Sequence, residues 1–181
     1  MTTTLVLGGA RSGKSAYAEK LAVQSRREVL YLATASAGDA EMGARIAQHR
    51  SERPQHWSTV EEPLHLASAL QRHGTEDNLI LVDCLTLWLS NLLFCGGAGP
   101  DVGVITLPPL FIEQRAALLD ALHKAPGDVV LVSNEVGMGI VPMGAMTRCF
   151  ADEAGRLNQA VAAVCERVVF VAAGLPLTLK A

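Results

Sequence analysis

The stretch Gly8-Gly9-Ala10-Arg11-Ser12-Gly13-Lys14-Ser15 constrains this chain more than any other. It fits G-x-x-x-x-G-K-[ST], the glycine-rich turn that wraps phosphate groups. Thr3 to Leu7 ahead of it reads as a short buried strand, and Ser15 to Arg26 behind it reads as a helix. The motif therefore falls on the strand-to-helix turn where such a loop works. Glycines permit backbone conformations that a Cβ obstructs, so successive N–H groups can point inward at phosphate oxygens. The positive end of the following helix adds to that field. Lys14 would supply a point charge to the distal phosphates, and Ser15 a hydroxyl to Mg²⁺. The pattern predicts a bound nucleoside triphosphate and leaves open what is done with it.

A chain of 181 residues, half of them hydrophobic, is long enough for a full core and suits one domain spanning 1–181. Alanine, leucine and valine dominate, as expected of helices packed on a parallel sheet. A formal charge of −3 argues against a general nucleic-acid surface. The start, Met1-Thr2-Thr3-Thr4, has neither a basic region nor a cleavable apolar segment, so no signal peptide is expected. The most apolar stretch, Leu79 to Cys95, is interrupted by Asp83, Ser90 and Asn91. It reads as a strand and a helix, not a membrane span. Cys84, Cys95, Cys149 and Cys165 show no close pairing. They suit reduced thiols in a cytoplasmic protein.

Apolar strands alternate with helical segments along the chain. Glu28 to Ala33 is a second strand, running into Thr34-Ala35-Ser36-Ala37-Gly38. In an open parallel sheet, ligands gather beyond the carboxyl ends of the strands. That small polar loop is then either a ligand contact or an ordinary connection with Ser36 or Asp39 as a helix cap. Trp57 and Val60 suggest a short strand, and Leu64 to His73 a helix that ends at Gly74. Asn78 to Asp83 is an apolar strand ending in a carboxylate, the pattern in which Asp83 would hold Mg²⁺ directly or through water. Cys95 to Pro109 is a Gly- and Pro-rich connection, Leu110 to Lys124 a helix, and Val129 to Ser133 a buried strand. That strand opens into Asn134-Glu135-Val136-Gly137-Met138-Gly139-Ile140-Val141-Pro142, which reads as a substrate loop or as a structural turn. Ala145 to Cys165 is helical, Val168 to Ala172 is a strand, and Leu175 to Lys180 is an edge strand that Pro176 keeps off the sheet interior. The class is α/β with a mostly parallel sheet.

Asp39 to Arg53 has helical spacing, and Pro54 stops it. Arg45, His49 and Arg53 lie four apart, with Arg50 beside His49, so one side of this helix is cationic. Two readings fit. One is a solvated basic face. The other is a phosphate site, in which arginines bind oxyanions and keep a neutral imidazole free to attack phosphorus.

Taken together, these residues resemble a known family. Gly8 to Ser15, Arg45-Ile46 with His49, Arg53-Pro54, Trp57 with Glu61, Asn134 to Pro142 and Gly155-Arg156-Leu157-Asn158-Gln159 occur in that order. The set resembles the bifunctional adenosylcobinamide kinase/adenosylcobinamide-phosphate guanylyltransferases of cobalamin biosynthesis. The resemblance implies a RecA-like P-loop NTPase fold, a mostly parallel sheet flanked by helices, and a homotrimer. It implies ATP and GTP as substrates with Mg²⁺, and adenosylcobinamide and adenosylcobinamide phosphate as acceptors. It further implies that His49 carries GMP covalently and that Lys14 is catalytic. The nucleotide contacts it implies are Gly9, Ala10, Arg11, Ser12, Gly13, Lys14, Ser15, Ala16, Thr34, Ala35, Ser36, Arg50, Ser51, Glu52, Arg53, Glu61 and Asp83. Ser15 and Asp83 would serve the metal. Position 83 is Asp where some members carry Glu, and Pro142-Met143-Gly144-Ala145 lacks the Asn expected two residues after the proline.

Two further functions would use the same phosphate loop. A small-molecule P-loop kinase without guanylyl transfer would leave His49 a solvated helix residue. It usually carries an arginine-rich lid, whereas Arg115, Arg148, Arg156 and Arg167 are widely spaced here. A noncatalytic nucleotide-binding regulator would form no covalent nucleotide.

Overall fold

The computed structural model describes residues 1–35, 54–95, 103 and 105–181. The helix read over Asp39 to Arg53, and with it Ser36, His49 and Arg50 to Arg53, lies outside the described residues. In chain order the elements are β1 (Thr3–Gly8), α1 (Lys14–Ser25), β2 (Glu28–Ala33), β3 (Ser58–Glu61), α2 (Leu66–His73), β4 (Asn78–Asp83) and α3 (Leu85–Phe94), followed by α4 (Pro109–Lys124), β5 (Asp128–Asn134), α5 (Ala145–Val164), β6 (Arg167–Ala172) and β7 (Leu175–Lys180). Among the described residues, seven strands form one sheet in the order β3-β2-β4-β5-β1-β6-β7. Every pairing is parallel except that of β6 with β7. The apolar stretch from Leu79 divides into β4 and α3, as its interrupting polar residues predict.

Side chains alternate across the sheet with the period of a strand. Leu5, Leu7, Leu30, Leu32, Ile80, Val82, Val129 and Leu131 face one side, where α2, α3, α4 and α5 cover them. Val6, Val29, Tyr31, Leu79, Leu81, Val130 and Val132 face the other side, where α1 brings Ala18 and Ala22. Both sheet faces are buried, which is why the strands are nearly continuous runs of apolar residues. Trp88 is the largest side chain taken wholly out of water, and its Nε1 donates to Leu64 O at 2.8 Å. That bond meets the requirement a buried indole carries with it.

β6 and β7 form a hairpin through Ala173 (φ 51°) and Gly174 (φ 77°). Two successive positive φ values match the right-handed twist of the flanking strands. β7 is the sheet's last strand, so Pro176 lies on an edge as expected. Lys180 at its end donates to the carbonyls of Ala162, Ala163 and Cys165 at 3.2, 3.1 and 2.5 Å. An ammonium at the carboxyl end of α5 satisfies orphan carbonyls and opposes the helix dipole.

All four cysteines are free thiols. Burial pushes Cys165 up to about 11, and burial together with the charge of Asp83 pushes Cys84 to about 11. Both stay protonated in the fold while the unfolded chain ionises from about pH 9. Their contribution to stability is whole below pH 9 and falls as pH rises through 11. For one such thiol the loss at pH 10 is about 1.4 kcal/mol. Urea midpoints of wild type and Cys165→Ala should therefore converge between pH 8 and pH 10; parallel curves would remove the thiol from the account.

Candidate active site

The site is built at the carboxyl edge of the sheet, around the turn that leaves β1. Ser12 N donates to Gly9 O at 3.2 Å, and Tyr17 N donates to Gly13 O at 3.0 Å as α1 begins. Gly13 has φ 92°, a conformation that carries a penalty for any residue with a Cβ, and Arg11 has φ 56°. A Cβ on Gly8 would stand 2.4 Å from Ser12 Oγ and 2.5 Å from the carbonyl oxygen of Val171. Position 8 thus admits only glycine without moving backbone.

Within this turn Lys14 is buried, and its Nζ donates to Gly9 O at 3.2 Å. An ammonium has three donors, so capacity remains for an anion at the loop. Among the described residues no side chain caps the start of α1 or takes up its first N–H groups. Ser12 Oγ is buried with no hydrogen-bond partner among the described residues. A buried hydroxyl without a partner calls for an explanation. A phosphate oxygen in the cradle would supply the missing partner, so donors, charge and orphan hydroxyl fit a polyphosphate.

Asp83 ends β4. Its Oδ2 accepts from the hydroxyl of Tyr31, a residue buried on β2. The phenol occupies one carboxylate oxygen and fixes the direction of the other. Oxygen donors from Asp83 and Ser15 are the set a hard divalent cation takes, so these residues fit Mg²⁺. A cis peptide bond joins Asp83 to Cys84. Just beyond β2, Thr34 is tied down on three sides. Its N donates to Asp83 O at 3.1 Å, its Oγ1 donates to Cys84 O at 2.8 Å, and Cys84 N donates back to Oγ1 at 2.9 Å. Asn91 Nδ2 of α3 donates to Thr34 O at 2.8 Å and to Pro63 O at 3.1 Å. One amide therefore braces the turns that follow β2 and β3.

The strand order shows which expected residues meet. The loop at 8–15 and the carboxylate of Asp83 lie on one edge, with β5 between β1 and β4. Thr34 and Ala35 lie beyond β4 on the same edge. Glu61 ends β3, paired with Ala33 of β2, and is exposed. It is separated from β1 by β2, β4 and β5. Four strand spacings amount to about 19 Å, so Glu61 does not share the phosphate pocket. Expected residues Ser36, His49 and Arg50 to Arg53 are outside the described residues.

Several participants carried no motif. Tyr31 read as one more strand residue, although a phenol inside a buried strand needs a polar partner. Asn91 was legible only as an interruption of an apolar run. On the β5 side, Ser133 Oγ donates to Asn158 Oδ1 at 2.7 Å, Asn134 N donates to Thr86 Oγ1 at 2.7 Å, and Asn158 Nδ2 donates to Asn134 O at 3.2 Å. The Gly155 to Gln159 segment thus supplies a buried amide that holds the end of β5 beside Gly8, its register partner being Asn134.

Comparison with known proteins matches residues 4–179 to the family model described as cobinamide kinase / cobinamide phosphate guanyltransferase. The chain is 53% identical over 176 residues to the bifunctional adenosylcobalamin biosynthesis protein CobP of Pseudomonas aeruginosa, covering 97% of this chain and 96% of that one. It is 42% identical over 179 residues to the bifunctional adenosylcobalamin biosynthesis protein CobU of Escherichia coli, covering 97% and 98%. Among solved structures, a type III secretion system ATPase aligns with TM-score 0.59 at 14% identity, covering 98% of this chain and 57% of that one. The flagellar accessory protein FlaH of Methanocaldococcus jannaschii aligns with TM-score 0.51 at 12% identity, covering 99% and 78%. These likenesses are of fold alone, and with the strand order they show a RecA-like P-loop fold. Among the described residues no helix is long and apolar enough to cross a membrane.

Two substitutions test the geometry. Gly8→Ala should abolish binding of a fluorescent nucleoside triphosphate, because its methyl group meets Ser12 Oγ and the Val171 carbonyl; retained affinity would show that the turn yields. Tyr31→Phe removes a buried hydrogen bond to a carboxylate, which should cost about 1–3 kcal/mol in chemical denaturation. An unchanged denaturation midpoint would mean that the phenol does not hold Asp83.

Proposed function

Because the chain belongs to the cobinamide kinase / cobinamide phosphate guanyltransferase family, we propose that it performs both reactions of that name. In the first, the terminal hydroxyl of the aminopropanol arm of adenosylcobinamide takes the γ-phosphoryl group of a nucleoside triphosphate. In the second, GMP passes from GTP to adenosylcobinamide phosphate through a guanylyl group on His49. The observation that carries this reading is the glycine-rich turn at Gly8 to Ser15, with a buried Ser12 hydroxyl that has no partner among the described residues, in a chain matched from residue 4 to 179.

The residues divide the work as follows. Backbone N–H groups of the loop and the first turn of α1 bind the phosphate chain and hold it in line for attack. Lys14 neutralises the charge that builds on the leaving diphosphate or pyrophosphate. Mg²⁺, held by Ser15 and Asp83, would add charge stabilisation at the phosphates. Tyr31 orients the Asp83 carboxylate for that role. For guanylyl transfer, a nitrogen of the His49 imidazole attacks the α-phosphorus of GTP, and the α–β bridging bond breaks to release pyrophosphate. A phosphate oxygen of adenosylcobinamide phosphate then attacks the same phosphorus and frees the histidine. A phosphorus–nitrogen bond is reactive enough to be broken again, which this double displacement requires. Arg45, Arg50 and Arg53, close to His49 in sequence, would bind the phosphates and disfavour the imidazolium. One anion cradle serves both steps, with attack at the γ-phosphorus in one and the α-phosphorus in the other.

The test uses α-labelled GTP with Mg²⁺, followed by denaturation. Wild type should retain acid-labile, base-stable label that adenosylcobinamide phosphate chases off, and His49→Ala should retain none. Folded, nucleotide-binding wild type without label would leave a kinase or a regulator.

A further inference from the structure

Among the described residues, the segment after β5 is a part of the carboxyl edge that holds none of the expected nucleotide contacts. It is rooted on the phosphate loop itself, since Glu135 N donates to Gly8 O at 3.0 Å. Its far end is fastened to the start of α5, where Arg148 Nη1 donates to Pro142 O at 3.1 Å and also to Met143 O. Thr147 Oγ1 adds a bond to Gly144 O at 2.9 Å. Between these anchors the segment presents apolar side chains to water: Met138 is 79% exposed, Ile140 98%, Val141 73% and Met143 96%. Large apolar groups exposed side by side mark a binding surface. Here they adjoin the site where a phosphoryl group must be handed to an acceptor.

The root of this surface carries a carboxylate. The strand ends of the edge offer Glu61, Asp83 and Glu135. Glu61 is about four strand spacings, roughly 19 Å, from β1. Asp83 is held by Tyr31 and faces the metal role. Glu135 is half-buried beside Gly8, and its Oε1 accepts from Gly137 N at 2.6 Å. Its Oε2 has no hydrogen-bond partner among the described residues.

We propose that the segment from Glu135 to Met143 is the acceptor-binding element of the kinase reaction, with Glu135 as a catalytic residue for the acceptor hydroxyl. The apolar side chains seat the methyl-bearing face of the corrinoid macrocycle, and the aminopropanol arm reaches back toward Gly8. There the hydroxyl oxygen bonds to the γ-phosphorus, and the bond from that phosphorus to the β–γ bridging oxygen breaks. The electron pair leaves with the nucleoside diphosphate. The hydroxyl proton passes to Glu135 and from it to water. This inference rests on the functional reading above.

The experiment compares steady-state kinase kinetics of the full chain with adenosylcobinamide, alongside the Kd of a fluorescent nucleotide. Glu135→Gln keeps an acceptor for Gly137 N, so the loop holds its shape. It should lower kcat about 10²-fold or more with nucleotide Kd unchanged, and Glu135→Asp should recover part of the loss. The double variant Met138→Ser/Ile140→Ser should raise KM for adenosylcobinamide about tenfold or more, with kcat and the KM for nucleotide unchanged. A kcat for Glu135→Gln within about threefold of wild type would overturn the catalytic role, since general-base catalysis is worth far more. A double variant with changed mass by light scattering and unchanged corrinoid KM would assign the surface to subunit contact and overturn the acceptor role. Nucleotide-binding wild type that fails to phosphorylate adenosylcobinamide overturns the functional reading and this inference with it; active wild type with unaffected variants overturns this inference alone.

Discussion

Everything at the carboxyl edge depends on how closely β6 approaches the phosphate loop. The Val171 carbonyl and Ser12 Oγ leave no room for a Cβ on Gly8, and Gly174 N donates to Ser12 O at 2.8 Å. A Cβ on Gly13 would lie 3.1 Å from Gly174 Cα, so the β6–β7 turn sits directly against the loop. The backbone is thus pressed into shape from outside before any nucleotide arrives. Preorganised donors cost no rearrangement when charge develops on the phosphates, which is where such a site obtains its effect. The hairpin at the end of the chain accordingly helps to shape the candidate site, though none of its residues is a candidate contact.

The phosphate loop shares its edge with the ends of β5, β4 and β2. Loop amides, Lys14 and Ser12 converge at the end of β1, the place we propose for the phosphates. The braces lie together on one side of β1, and both draw on α3, through Asn91 and Thr86. Thr34, Asn91 and Tyr31 fix the β2 and β4 ends, while Thr86, Ser133 and Asn158 fix the end of β5. Each network is closed by bonds between buried or half-buried polar groups, as burial requires.

The phosphate loop, the carboxylate ending β4 and the edge position of β7 were all legible in the sequence, because each rests on a local rule. Glycine at φ 92°, an apolar run closed by Asp83, and Pro176 in the last strand carry their meaning with them. The helix start shifted by one residue, to Lys14, because the turn closes on Gly13 O. What could not be read was anything set by strand order. Tyr31 reaches Asp83 across 52 positions of sequence and Asn158 reaches Ser133 across 25. Neither pairing has a spacing signature, since both arise only once β2 meets β4 and α5 packs over β5. The separation of Glu61 from the phosphate loop has the same origin.

Strand order also gives the segment after β5 its particular standing. β5 lies between β1 and β4, so the chain leaving it emerges between the phosphate loop and the Asp83 carboxylate. A residue placed there stands beside the phosphate loop without needing a long side chain. β5 delivers Asn134 opposite Gly8, and Glu135 is the next residue. A segment in that place which merely linked two elements would be expected to bury its apolar side chains or to lack them. This one is fastened at both ends, by Glu135 N to Gly8 O and by Arg148 to the carbonyls of Pro142 and Met143, and holds its methionines and isoleucine in water. Exposed apolar area costs free energy in proportion to its extent. Hydrogen bonds at the two anchors oppose its collapse onto the core, so the shape is maintained against the hydrophobic effect rather than by it. That combination, fixed backbone under exposed apolar groups beside a phosphate cradle, is what an acceptor surface at this edge requires.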